Sequence, residues 1–335
     1  MTREKLSCKY DWRSSLLRLE GAYAHNTIRA YRTDFTIFEA WCRKEGHIAL
    51  PAAPETVADF VLAQSASHAA ATVGRRRASI SKVHRLLKLT SPIASEEVTL
   101  AARKMFRLIG RRQAQALGLT RALKEKLLAA CPNDLRGLRD RALIATGYDT
   151  LCRRAELVEL QIEDLTTRSD GSGTILVRKS KADQLARGRL AYLSSETIAF
   201  LEDWFAASGL KTGPIFQRIH GTSLSKEALH AYSAARILKD RAEDAGLDSE
   251  IISRLSGHSM RVGAAQDMAS AGIDLGAIMH AGGWKSPDMV MRYIEHMDIQ
   301  KSGMARLYGG STPLRKTHDD PTTCPSSEHL AQLVA

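Results

Sequence analysis

Residues 255–298 read LSGHSMRVGAAQDMASAGIDLGAIMHAGGWKSPDMVMRYIEHMD. Three helical segments fit this stretch: 257–271, 275–280, and a third that starts at Ser286. Ser286 has the chemistry of an N-cap, and Pro287 stands in the first helical position. Met289, Val290, Tyr293 and Met297 then share one face at helical spacing. Tyr293 therefore sits about two turns into a short helix, on its apolar stripe, where packing is the ordinary role of such a ring. Two features set this stretch apart from a plain helical hairpin. His258 and Arg261 lie three residues apart on one helical face, and Trp284 precedes Tyr293 by nine residues.

Two more motifs lie upstream. TLCRRAELVEL (150–160) places Arg153 and Glu156 three apart at a helix start. RKSK (178–181) places Lys179 and Lys181 at the end of a strand. Each feature alone also fits a structural role. Arg153 and Glu156 could form a helix ion pair, Lys181 could be a solvated hairpin lysine, and Trp284 could plug a core.

The chain has 335 residues, enough for two domains with proper cores. Aromatic residues make up only 6%, so the cores must rest on Ala, Leu, Ile and Val, which favours helices over sheets. A net charge of +11 points to a polyanionic partner. The excess is concentrated in residues 1–118, which carry 20 basic and 10 acidic side chains. Five scattered cysteines without a CxxC pair or zinc-finger spacing suggest a reduced intracellular setting. No apolar run approaches a membrane span, and the first residues lack a signal-peptide core, so a soluble cytoplasmic protein is expected.

Along the chain, 26–46 reads as an amphipathic helix capped by Asn26 or Thr27, with Ile28, Tyr31, Phe35, Phe38 and Trp41 or Cys42 on its apolar stripe, and stopped by Gly46. Helices follow at about 54–66, 70–89 and from 96. The third of these four carries Arg75, Arg76, Lys82 and Arg85 off its apolar stripe. Residues 113–120 read as a linker. Helices then fall near 120–130, 135–147 and 154–160, with a hairpin over 174–193. Further helices are expected at 196–207 and 225–245. The residues from 311 are rich in Pro, Thr and Ser and read as a flexible tail.

Taken together, in this order and at these separations, the motifs resemble the tyrosine recombinase (phage integrase) family, and its Cre-like branch in particular. The resemblance spans about 20–308 and is strongest over 147–181 and 254–308. It implies a mainly α fold. An N-terminal helical core-binding, SAM-like domain (1–115) precedes an α+β catalytic domain with a small antiparallel sheet (116–310), and the tail (311–335) follows. It also implies a site-specific recombinase that cleaves and rejoins duplex DNA through a covalent 3′-phosphotyrosyl intermediate. Arg153 and Arg261 would grip the scissile phosphate, with His258 and Trp284 beside them. Lys181 would be the hairpin lysine, preferred over Lys179, and Glu156 the supporting acid. Tyr293 would be the nucleophile. Arg29, Arg75 and Arg76 are the expected DNA contacts of the first domain. Residues 299–310 resemble a helix that docks into a neighbouring protomer, and a homotetramer on two DNA sites is implied.

That chemistry suits these residue types. Paired guanidiniums stay charged at cellular pH and bind non-bridging phosphate oxygens through forked donors. Tryptophan can only donate. A tyrosine with an ordinary pKa near ~10 needs a base or nearby positive charge before it attacks. A lysine among other cations can protonate the leaving oxygen. No cofactor is required: the sequence has no P-loop, and no carboxylate cluster suited to two metal ions. Two rivals remain at this level, a type IB-like topoisomerase and a basic DNA-binding protein without catalysis.

Overall fold

In a computed structural model, the chain divides into two compact units, 1–114 and 115–335. The structure describes residues 10–110, 115–178, 188–221 and 223–295.

The first unit is helical. Its elements are α1 (Trp12–Ser15), α2 (His25–Glu45), α3 (Pro54–Ser65), α4 (Ala70–Leu86) and α5 (Glu96–Ile109). The apolar stripe read from the sequence is the buried one: Ile28, Phe35, Phe38 and Cys42 of α2 meet Val57, Phe60 and Val61 of α3 and Val73, Ile80 and Val83 of α4. Rings pack edge-on, with Phe38 and Phe60 centroids 5.0 Å apart. Gly46 stops α2 as expected, adopting a left-handed φ of 76° while its N–H closes on the Cys42 carbonyl. The start of α2 differs from expectation. Ala24 holds the N-cap position without a side-chain bond, because Asn26 already lies inside the helix and its Oδ1 accepts from Arg29 at 2.7 Å.

One buried group here escaped the hydrophobic pattern. Asp34 lies on the inner face of α2 and is fully buried. Its carboxylate accepts from Arg75 Nε at 2.9 Å, Arg75 NH2 at 2.8 Å and Ser79 Oγ at 3.0 Å, all from α4. A buried carboxylate is tolerated only when its lone pairs are filled in this way.

The second unit surrounds α7 (Leu135–Asp149), which runs on from α6 (Arg121–Ala129) and is buried along Ala142–Gly147. Then come α8 (Arg154–Val158), the strands β1 (Leu165–Thr167), β2 (Gly173–Val177) and β3 (Arg189–Leu193), and α9 (Ser195–Ser208). The strands form an antiparallel sheet in the order β1-β2-β3. Its β2–β3 pair, with Gly173 opposite Leu193 and Val177 opposite Arg189, is the hairpin read from the sequence. Ile175, Val177, Ala191 and Leu193 turn inward against α7 and α9 residues such as Leu143 and Leu201.

Residues 225–245, expected as one helix, are instead split. A second antiparallel pair, β4 (Gln217–His220) and β5 (Ser223–Ala228), precedes α10 (Ser233–Asp244). Ile219 and Leu224 pair across the strands and pack on the core. That cross-strand pairing overrides the helical propensity of Lys226, Glu227 and Ala228. The unit closes with α11 (Ser249–Arg254), α12 (Ser259–Ser270), α13 (Leu275–Gly282) and α14 (Pro287–Ile294). Ser286 caps α14, with its Oγ accepting from Asp288 N–H at 3.3 Å. No helix among the described residues is long and apolar enough to cross a membrane.

The Asp34 network gives a stability test. Asp34→Ala removes the buried carboxylate that ties Arg75 and Ser79 of α4 to α2 and should destabilise the protein by about 2–3 kcal/mol. Urea unfolding measures this, and an unchanged midpoint would show that the network is not structural.

Candidate active site

The turn between α7 and α8 carries the first arginine. Leu151 in this turn has φ of 51°, a left-handed value uncommon for a residue with a branched side chain. Its neighbours hold it there. The Leu151 carbonyl accepts from Arg261 NH1, and the Thr150 carbonyl accepts from Arg189 NH2 at 2.6 Å. Two guanidiniums, one from α12 and one from β3, thus pin the backbone just before Arg153. Arg153 stands at the N-cap of α8, and Glu156 anchors it twice. One Glu156 oxygen accepts from the Arg153 backbone N–H at 3.0 Å and the other from its NH1 at 2.7 Å. Glu156 is buried, whereas the Arg153 side chain keeps 23% exposure. The acid therefore orients an arginine whose remaining donors reach the surface.

Arg261 is 1% exposed. Its Nε and NH2 are buried and have no hydrogen-bond partner among the described residues. The Trp284 ring covers it, with the guanidinium carbon 4.0 Å from the ring centroid. That is close enough for a cation–π attraction. Trp284 Nε1 is a further buried donor without a partner among the described residues. Tyr293 packs on the same indole, with centroids 5.6 Å apart and the planes at 51°. Val290, one turn earlier on α14, is fully buried beside Ile278, Ala265 and Leu151. The apolar stripe thus seats the helix, and the half-buried Tyr293 borders the cluster.

The electrostatics follow from crowding. Burial first, and then Arg153, lower the Arg261 pKa to about 10, against the opposing pull of Tyr293 and Glu156. It stays protonated at neutral pH. His258, at the N-cap of α12, has its pKa lowered by burial first, although the residue as a whole remains exposed, and then by Arg261, Arg154 and Arg153. Its imidazole is therefore neutral at pH 7.

The structure gathers Arg153, Glu156, His258, Arg261, Trp284 and Tyr293 in the second unit. Lys181 and its rival Lys179 lie outside the described residues, between β2 and β3. Of the first-unit arginines, Arg29 is exposed. Arg75 is half spent on Asp34, although its side chain keeps 55% exposure. Arg76 is buried on α4 and its NH1 donates to Gln64 Oε1, so its guanidinium is engaged within the first unit. Sequence reasoning missed Arg189. It bridges the start of β3 to the Thr150 carbonyl and, through NH1, to the Ala281 carbonyl at 3.0 Å. No spacing rule marks it, since its partners are backbone atoms of distant segments.

Comparison with known proteins bears on the family and the fold. Residues 119–299 match the phage integrase family, and residues 14–90 match the phage integrase N-terminal SAM-like domain. The chain is 35% identical to an integrase/recombinase xerD homolog of Selenomonas ruminantium, over 87% of this chain and 88% of that one. It is 29% identical to Recombinase cre of Escherichia phage P1, over 87% and 90%. Among solved structures, it shares its fold with the XerH site-specific recombinase in a post-cleavage complex with difH substrate. That likeness has a TM-score of 0.63 at 18% identity, over 84% and 80% of the two chains. With the SAM-like domain, the helical catalytic architecture with its small antiparallel sheets and the family match over more than half its length, the chain belongs to the phage integrase, or tyrosine recombinase, family.

Proposed function

We propose that this protein is a site-specific DNA recombinase that cuts and rejoins duplex DNA through Tyr293, with Arg153, His258, Arg261 and Trp284 around the scissile phosphate. One observation carries this reading. Three buried donors, Arg261 Nε and NH2 and Trp284 Nε1, lack partners among the described residues and stand beside Tyr293. Buried unpaired donors are costly, and a phosphodiester supplies the acceptors that would satisfy them.

In this mechanism, Arg261 and Arg153 bind the non-bridging oxygens, and their hold strengthens as charge builds in the pentavalent transition state. Glu156 keeps Arg153 in register. Neutral His258 takes up the proton that Tyr293 loses. The tyrosine oxygen forms a bond to phosphorus and the bond to the 5′ oxygen breaks. Lys181 protonates that oxygen. The products are a 3′-phosphotyrosyl bond and a free 5′ hydroxyl. The phosphotyrosyl bond conserves the energy of the cut, so attack by another 5′ hydroxyl reseals the strand. Neither ATP nor a metal ion takes part.

Exchange between two sites needs four cuts and so four copies of Tyr293, which requires a tetramer on DNA. Residues 299–310, which resemble a docking helix, lie outside the described residues. The excess positive charge of residues 1–118 suits a phosphate-tracking surface, with Arg29 and the exposed end of Arg75 as its candidate contacts. In the second unit, Arg218, His230, Tyr232 and Arg236 line one concave surface around β4, β5 and the start of α10. That surface is the candidate for base readout. The relatives named above are recombinases, and nothing favours the topoisomerase or non-catalytic alternatives.

Trapping on a nicked suicide substrate tests the chemistry. Wild type should accumulate a covalent protein–DNA adduct and Tyr293→Phe none. Absence of an adduct with wild type would overturn the reading. Arg261→Lys keeps the charge but loses the forked donors and the flat face on Trp284. It should cut adduct formation by roughly 10²–10³-fold.

Acidity gives a separate test. Because the His258 pKa is lowered, its conversion to imidazolium is delayed to pH below the ordinary ~6.5. Adduct formation should therefore hold steady through neutrality and fall only below that value, and His258→Gln should lose this acid limb. A wild-type limb centred above ~6.5, or one that persists in His258→Gln, would remove His258 from the proton transfer.

A further inference from the structure

Tyr293 lies in the last turn of α14, where helix carbonyls look outside the helix for donors. Its own carbonyl receives two side-chain amides. Gln266 Nε2 donates at 3.0 Å and Gln115 Nε2 at 3.2 Å. A carbonyl oxygen has two lone pairs, so one oxygen can accept both. The donors come from separate elements. Gln266 stands on α12, five residues beyond Arg261 and half-buried. Gln115 begins the extended segment 115–119, which lies against α12 rather than hanging free as a linker.

That segment is held firmly. Leu119 N–H donates to the Ser259 carbonyl at 2.7 Å, and Leu117 N–H to the Arg254 carbonyl at 3.1 Å. Contact is close enough to require glycine at two places. A Cβ on Gly263 would come within 1.9 Å of the Leu119 carbonyl oxygen, and a Cβ on Gly118 within 2.0 Å of Gln266 Oε1. The Gln266 amide is thus confined between the 115–119 backbone and the backbone of Tyr293.

We infer that Gln266 and Gln115 are positioning residues for the tyrosine, setting through its carbonyl how far the Tyr293 hydroxyl stands from the phosphate held by Arg261. This rests on Tyr293 being the nucleophile. Arg261 and Gln266 sit on the same helix, and five residues of α-helix span about 7.5 Å. One rigid rod therefore carries both the group that grips the phosphate and the group that grips the nucleophile's backbone. The Trp284 contact and buried Val290 seat α14 sideways, and the Ser286 cap sets its start. The glutamine pair holds its other end, where a short helix otherwise frays.

The experiment uses the full chain and a nicked suicide DNA, reading DNA affinity by fluorescence anisotropy and the first-order rate of adduct formation at saturating DNA. Methionine keeps the length of glutamine and removes the donor. Gln266→Met should slow the adduct step by about tenfold or more with affinity within about twofold of wild type, because an error of about 1 Å at a reacting atom can cost ~10²-fold. Gln115→Met should slow the same step, and the double variant should be slower than either. An unslowed Gln266→Met, or one whose loss of adduct comes wholly from weaker DNA binding, would overturn the inference. Should Gln266→Met fail to fold, Gln115→Met decides, and a wild-type rate there overturns it equally. If wild type itself forms no adduct, it is the reading of Tyr293 as nucleophile that fails.

Discussion

The buried guanidinium of Arg261 is the constraint on which the second unit depends. Full burial of a cation costs several kcal/mol unless its donors and charge are answered. Here one donor is answered by the Leu151 carbonyl and the flat face by the Trp284 ring. Those two contacts organise what surrounds them. Holding the Leu151 carbonyl keeps the α7–α8 turn in a left-handed conformation and delivers Arg153 to the N-terminus of α8. Covering the guanidinium brings the Trp284 indole under Tyr293. The donors left over are the ones that the proposed phosphate would satisfy.

The supporting contacts fall into a consistent pattern: charged or amide side chains that grip backbone carbonyls. Arg261 holds Leu151, Arg189 holds Thr150 and Ala281, and Gln115 and Gln266 hold Tyr293. Each ties a loop or a helix end to a rigid neighbour. Such bonds fix atoms without needing a complementary side chain. The geometry they set is insensitive to which side chain the gripped residue carries.

The first unit solves a different problem with similar means. Its core is aliphatic and aromatic, yet α2 and α4 are joined through the buried Asp34 carboxylate. Arg75 serves that carboxylate with its near donors while its side chain remains half exposed. Arg76, next to it in sequence, turns inward. Helical geometry alone separates them, since adjacent residues point about 100° apart. A run of three arginines therefore does not make a uniform basic face.

Much of this could be read from the chain alone. The 3.6-residue periodicity of Ile28, Phe35, Phe38 and Cys42, the Gly46 stop, the 174–193 hairpin and the Ser286–Pro287 start of α14 are local signals, each carried by neighbouring residues. The resemblance of the motifs around Arg153, His258, Arg261 and Tyr293 to one family supplied the fold and a set of candidate site residues. What the chain could not display are contacts whose partners are backbone atoms or lone groups far away in sequence. Asp34 looks like any polar residue on a helix until Arg75 and Ser79 close on it. Residues 223–228 have helical composition, but pairing with 217–220 makes them a strand. Gln115 reads as part of a linker, and Gln266 as an ordinary helical glutamine, until both meet the carbonyl of Tyr293. Local propensity and side-chain pattern are properties of a few consecutive residues and are written in the sequence. Long-range hydrogen bonds to main-chain atoms carry no residue-type signature at the acceptor, so only the tertiary structure decides them.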